Sequence, residues 1–220
     1  LRKKPMTNAL NILENMHYKI VGILRGITPS QIEAHLPCLL EAGFEAIEIP
    51  LNSPDAFTSI KIATDMIKAQ GRTDLLIGAG TVLSVSDVEK AVACGGNLIV
   101  SPNSDTAVLD ACCKAKVVSI PGFMTPTEAF QSISAGATAL KLFPANLIGV
   151  DGLRAMKAVL PKDIDVLVVG GIDETQLGTY FSAGATGMGV GSSLYKPGQQ
   201  PEETYRNARR IIGTAESLKG

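Results

Sequence analysis

The 220-residue chain contains no tryptophan and only 2 histidines, His17 and His35, and both fall in helix-like segments. A histidine-built metal centre at a strand end is therefore not expected, and neither is a metal cofactor. Charge of one sign is also missing, since 20 Lys+Arg stand against 21 Asp+Glu with no long block of either. That balance argues against a nucleic-acid surface or a polybasic membrane patch. No apolar run approaches the roughly 18 residues of a membrane span, so no membrane partner is expected. The basic opening LRKKPMTNAL leads into amphipathic NILENMHYKI rather than an apolar stretch, which reads as a cytoplasmic chain without a secretory signal. Cys38, Cys94, Cys112 and Cys113 show no CxxC spacing and read as reduced, helix-borne apolar residues.

What the chain does have is repetition. Strand-length apolar runs recur at 21–26, 46–51, 75–82, 98–103, 117–122, 139–144, 166–171 and 187–192, with starts separated by 19 to 29 residues and one amphipathic segment in each gap. Runs that are apolar throughout suit parallel strands covered on both faces. Four of the segments, EAGFEAIEI, ACGGNLIV, SAGATALKL and SAGATGMGV, place glycine where a helix needs a left-handed cap before the next strand. Eight such units predict an α/β fold, a (β/α)8 TIM barrel with an extra N-terminal helix over residues 1–17, strands between 21 and 193, and a final helix over 201–217. No composition break suggests a second domain, so residues 1–220 are expected to form one barrel. An open doubly wound sheet is the competing architecture, and the even spacing of the units favours closure.

A barrel fixes where chemistry is expected, because active sites of this architecture lie at the C-terminal ends of the strands. Lys141 sits in ALKLFP among apolar neighbours. In a strand it shares a face with Ala139 and Phe143, while Leu140 and Leu142 share the other, so one register turns the lysine into the barrel and the leucines toward the helices. The alternative is a lysine that snorkels to water along an apolar wall. A buried ammonium is costly, and a nearby cation lowers its pKa further, which makes a neutral amine able to attack a ketone.

Glu48, in AIEIPL, is a second lone charge in an apolar run and could be either a general acid/base or the ion-pair partner of Lys141 or Arg25. Arg25 in ILRGITP can grip a carboxylate or phosphate through two parallel hydrogen bonds. Thr81 in GAGTVL offers a hydroxyl. Gly170-Gly171 and Gly191-Ser192-Ser193 follow the seventh and eighth runs, where barrels often bind phosphate on backbone N–H groups. Asn52, Pro102 and Phe143 are further strand-end positions beside these.

Taken together, ILRGITP (23–29), EIPLNSP (48–54), IGAGTVL (77–83), ALKLFP (139–144), VGG (169–171) and GVGSSLY (189–195) resemble the KDPG/KHG aldolase family over residues 20–213. The likeness is strongest to its 2-dehydro-3-deoxy-6-phosphogalactonate branch. The resemblance implies a class I aldolase, metal-independent and commonly a homotrimer, that splits a phosphorylated keto acid into pyruvate and glyceraldehyde 3-phosphate. It implies Lys141 as the Schiff-base lysine, Glu48 as the proton donor and acceptor working through a water, Arg25 and Thr81 at the carboxylate end, and Gly171 with Ser192 at the phosphate. One departure stands out: where the phosphogluconate-type branch carries an arginine after its glutamate, this chain has Asn52. Carboxylate binding then falls to Arg25. The gluconate-type epimer, or both epimers, remains the near alternative; a sugar-phosphate isomerase or a non-catalytic phosphosugar-binding protein is the distant one.

Overall fold

Nine short parallel strands among the described residues wrap into one sheet in the order β5-β4-β3-β2-β1-β9-β8-β7-β6. They are β1 Lys19–Ile23, β2 Ala46–Pro50, β3 Leu76–Gly80, β4 Leu98–Val100, β5 Val118–Ile120, β6 Gly122–Phe123, β7 Leu140–Leu142, β8 Val166–Val169 and β9 Gly187–Val190. This is a computed structural model, and it describes residues 8–218.

The count of nine reconciles with eight predicted staves at Pro121. β5 pairs with β4 and β6 pairs with β7. Pro121, between them, has no N–H to give the ladder, which interrupts the strand. Its carbonyl still accepts the backbone N–H of Lys141 at 2.8 Å, so the interrupted stave is the seam that closes the barrel. The expected barrel is therefore present, with a split fifth strand that the apolar run 117–122 does not reveal.

Helices follow the strands: α1 Asn8–Asn15, α2 Pro29–Ala42, α3 Ala56–Ala69, α4 Val85–Ala93, α5 Thr106–Ala115, α6 Pro126–Ser134, α7 Ala145–Val159, α8 Leu177–Ser182 and α9 Pro201–Ser217. Their starts follow from local chemistry. Ser84 accepts the N–H of Asp87, Asp105 accepts those of Ala107 and Val108, and Thr125 with Glu128 forms a capping box. The four glycines expected as left-handed caps adopt that conformation, with φ of 102° at Gly43, 86° at Gly95, 93° at Gly136 and 101° at Gly184. The leading helix is shorter than its expected span: residues 1–7 lie outside the described residues, and α1 stops at Asn15, which leaves His17 beyond it.

Two apolar layers result. Leu140, Leu142, Ile47, Ile49, Val166 and Val168 face the helices, whereas Val21, Ala46, Leu76, Leu98, Val118, Ala139 and Leu167 fill the interior. The alternation expected around Lys141 is thus the one present. Ala9 and Leu13 of α1, with Met16 just after it, join that interior layer beside Ala46, Leu76, Leu98 and Val118, which begin or nearly begin their strands. The leading helix closes the N-terminal end, and the open mouth lies at the opposite, C-terminal end.

Candidate active site

The mouth of the barrel is a cleft of about 820 Å³. Arg25, Thr81, Pro102, Lys141, Phe143, Gly170, Gly171, Gly191, Ser192 and Ser193, all singled out in the sequence, line it. Two others do not. Glu48 lies a layer deeper and lines a small adjoining cavity that Lys141 shares, so the lysine spans both spaces. Asn52 stays outside the cleft wall and its Oδ1 accepts a hydrogen bond from Arg25 Nη1 at 2.7 Å.

Lys141 comes from the centre of β7 and is only 6% exposed. Burial pushes its ammonium pKa down; Glu48 opposes that and the charge of Arg25 adds to it, with a net lowering. Its Nζ also stands over the ring of Phe143, 4.7 Å from the centroid. Glu48, from β2, is 2% exposed, and burial raises its carboxyl pKa to about 7 against the pull of Lys141 and Arg25. Both groups are thereby displaced toward neutrality, the range in which one side chain can lose and another can gain a proton. Glu48 Oε2 is buried with no hydrogen-bond partner among the described residues.

The backbone around this pair is built to admit it. A β-carbon on Gly80 would lie 1.1 Å from Glu48 Oε2, so the carboxylate occupies the room that the absent side chain leaves. Thr81, next in the chain, sits at φ 56°, a left-handed conformation costly for a β-branched residue. Such strain persists where surrounding structure enforces it, here at the lip of the cleft. The loop after β1 is tied to its neighbour by the Gly26 N–H, which donates to buried Ser53 Oγ at 2.8 Å.

At the other end of the cleft Gly170 and Gly171 have φ of 98° and 67°. A β-carbon on Gly170 would lie 2.9 Å from the Phe143 ring, and one on Gly171 would lie 2.3 Å from Asn146 Cγ. The pair therefore allows close approach of the segment that follows Lys141, whose Asn146 N–H donates to the Gly170 carbonyl at 3.1 Å. The opposite wall is Gly191-Ser192-Ser193, where the Gly191 carbonyl accepts the N–H groups of Leu194 and Tyr195, both at 2.9 Å.

Sequence reasoning missed Lys196 and Pro197, which also line the cleft, and the seats provided by Gly80 and Ser53. Lys196 and Pro197 lie four and five residues past Ser192, and their place there was the available signal. His35 is a packing residue: its Nδ1 lies 2.9 Å from Thr204 Oγ1 and its ring meets Tyr195 edge-on. Among the described residues no three His, Cys, Asp or Glu side chains converge to hold a metal ion. No helix of the described residues is long and apolar enough to cross a membrane. A second cavity of about 430 Å³ near α3 includes Lys61 and Arg72 in its wall. Those cations are paired with Asp65 and Asp74.

A parallel barrel with a buried lysine beside a buried carboxylate at its mouth belongs to the class of barrels equipped for carbonyl chemistry. Its family follows from comparison: the family model of KDPG and KHG aldolase matches residues 12–210, and the chain belongs to that family. It is 42% identical over 208 residues to a probable 2-dehydro-3-deoxy-6-phosphogalactonate aldolase of Rhizobium meliloti, covering 94% of this chain and 96% of the relative. It is also 42% identical over 193 residues to the 2-dehydro-3-deoxy-6-phosphogalactonate aldolase of Escherichia coli, covering 88% of this chain and 92% of that one. A solved structure described as native KDPGal superposes with a TM-score of 0.88 at 40% identity, over 92% of this chain and 97% of the other.

Proposed function

We propose that the chain is a class I aldolase that cleaves 2-dehydro-3-deoxy-6-phosphogalactonate to pyruvate and glyceraldehyde 3-phosphate. The observation that carries this is Lys141, buried at the barrel mouth with a lowered pKa and sharing a cavity with Glu48. The names of the two relatives at 42% identity support the substrate.

The chemistry follows from the parts. Neutral Lys141 Nζ attacks the C2 ketone, and a proton given by Glu48 to the carbinolamine hydroxyl lets it leave as water, which produces a protonated imine. That imine accepts the C3–C4 bonding electrons while the C4 hydroxyl proton leaves to a base, which releases glyceraldehyde 3-phosphate and an enamine. Protonation of the enamine at C3 gives the pyruvate imine, and water then frees pyruvate and the lysine. Glu48, ionised above about 7 and protonated below it, is suited to moving these protons through a water. Arg25, oriented by Asn52, and Thr81 hold the carboxylate end; Gly170, Gly171, Gly191 and Ser192, with Ser193 beside them, hold the phosphate end, and Pro102 and Phe143 wall the reacting carbons. The proposal carries no cofactor and a homotrimer, which the family resemblance implies, together with one barrel domain and a cytoplasmic location.

Asn52 is held by Arg25 and does not line the cleft, so the change from arginine at this position does not by itself read the C4 hydroxyl. The gluconate-type epimer is therefore the second reading. Pyruvate release from the two 6-phosphorylated epimers, measured side by side with a chelator present, separates them. Preference for the galactonate-derived substrate is expected, and preference for the other moves the chain to the gluconate branch.

A further inference from the structure

The ladder between β8 and β9 ends at Val169 paired with Gly189. Past that point the two walls of the phosphate end separate, one as Gly170-Gly171 and the other as Gly191-Ser192-Ser193. Among the described residues no backbone hydrogen bond joins them. The connection comes instead from a third element. Arg210 of α9 forms an ion pair through Nη1 with Glu174 Oε1, and its Nη2 donates to the Ser193 carbonyl at 3.2 Å. Glu174 is 3% exposed and opens the 3-10 turn Glu174–Gln176, which follows the first wall after Ile172 and Asp173. Asn207, one turn earlier on α9, accepts from Arg210 at 3.4 Å and donates to the Leu194 carbonyl at 3.1 Å. The helix that carries both is fixed by buried Ala208, Ile211, Ile212 and Ala215.

We propose that Arg210 and Glu174 act as a clasp that sets the spacing of the two walls, making Arg210 a positioning residue for the substrate's phosphate. This rests on the phosphate reading given above. The planar guanidinium serves both walls at once because its donors diverge in a fixed fork; a lysine ammonium keeps the charge opposite Glu174 without that fork. Loss of the second donor frees Ser193, whose own Oγ is buried without a partner among the described residues, and the wall drifts.

The test compares Arg210→Lys and Arg210→Gln with the wild-type chain. The dissociation constant of inorganic phosphate, measured by calorimetry, should rise about tenfold in both variants, and KM for the phosphorylated keto acid should rise in parallel. Exchange of pyruvate methyl protons with solvent, which needs only the Lys141 end, should stay within about twofold. A purely structural ion pair would leave phosphate binding unchanged in Arg210→Lys, and that result overturns the proposal. So does a parallel loss of phosphate binding and pyruvate exchange, or the absence of phosphate binding in the wild-type chain. Failure of wild-type pyruvate exchange would instead count against the aldolase reading, while the phosphate comparison still decides the clasp.

Discussion

The carboxylate of Glu48 fills the place where a side chain on Gly80 would begin, 1.1 Å from the position of its β-carbon. Gly80→Ala should therefore displace Glu48 while the strand persists. Misplacing a catalytic group by about 1 Å costs on the order of a hundredfold in rate, so turnover should fall by about that factor. Gly78 is the control, since a β-carbon there would lie 1.8 Å from the Leu98 carbonyl in the neighbouring strand. Gly78→Ala should lower the unfolding midpoint far more than Gly80→Ala does. Equal stability losses with unchanged turnover in Gly80→Ala would contradict the seat assigned to Glu48.

Glu48 also makes stability depend on pH. Burial raises its pKa from 4.5 to about 7, so the folded state binds the proton more tightly than the unfolded state. The sign follows: this contribution is fully present below about 4.5 and is lost as pH rises through about 7. A displacement of that size is worth on the order of 3 kcal/mol. Glu48→Gln has no such ionisation, and its stability relative to wild type, from denaturant unfolding, should grow by about that amount from acid to neutral pH. Wild-type kcat/KM should rise over the same range, because the ionised form of Glu48 is the one that accepts the proton.

Much of this was legible in the sequence, and what was not has physical reasons. Lys141 and Glu48 stand out because a lone charge inside a strand-length apolar run is anomalous, and the glycines at 43, 95, 136 and 184 mark helix ends because few other residues adopt a left-handed backbone. The split at Pro121 was hidden because a proline in an apolar run does not by itself mark a break: Pro50 ends β2 without dividing it. Gly80 was legible as a glycine but not as a seat, since the atom it makes room for comes from a different strand. Asn52 reads as a candidate binding group until its hydrogen bond to Arg25 is seen. The Arg210–Glu174 pair joins residues far apart in the chain and carries no local pattern at all.

Thr81 holds a left-handed backbone at φ 56°. Thr81→Gly removes that strain and should raise unfolding stability by about 1 kcal/mol, the left-handed penalty less the added entropy of glycine in the unfolded chain. The same change removes the hydroxyl at the cleft, so KM for the keto acid should rise. Improved stability together with weakened binding is the expected pairing; lower stability would show that Thr81 is not strained.

The most direct test of the account is trapping with borohydride in the presence of pyruvate, followed by mass mapping of the labelled peptide. A reduced pyruvate adduct on Lys141, absent from Lys141→Arg while that variant keeps its fold, is the predicted result. An adduct on another lysine, or none in the wild-type chain, would contradict the assignment of Lys141 as the nucleophile.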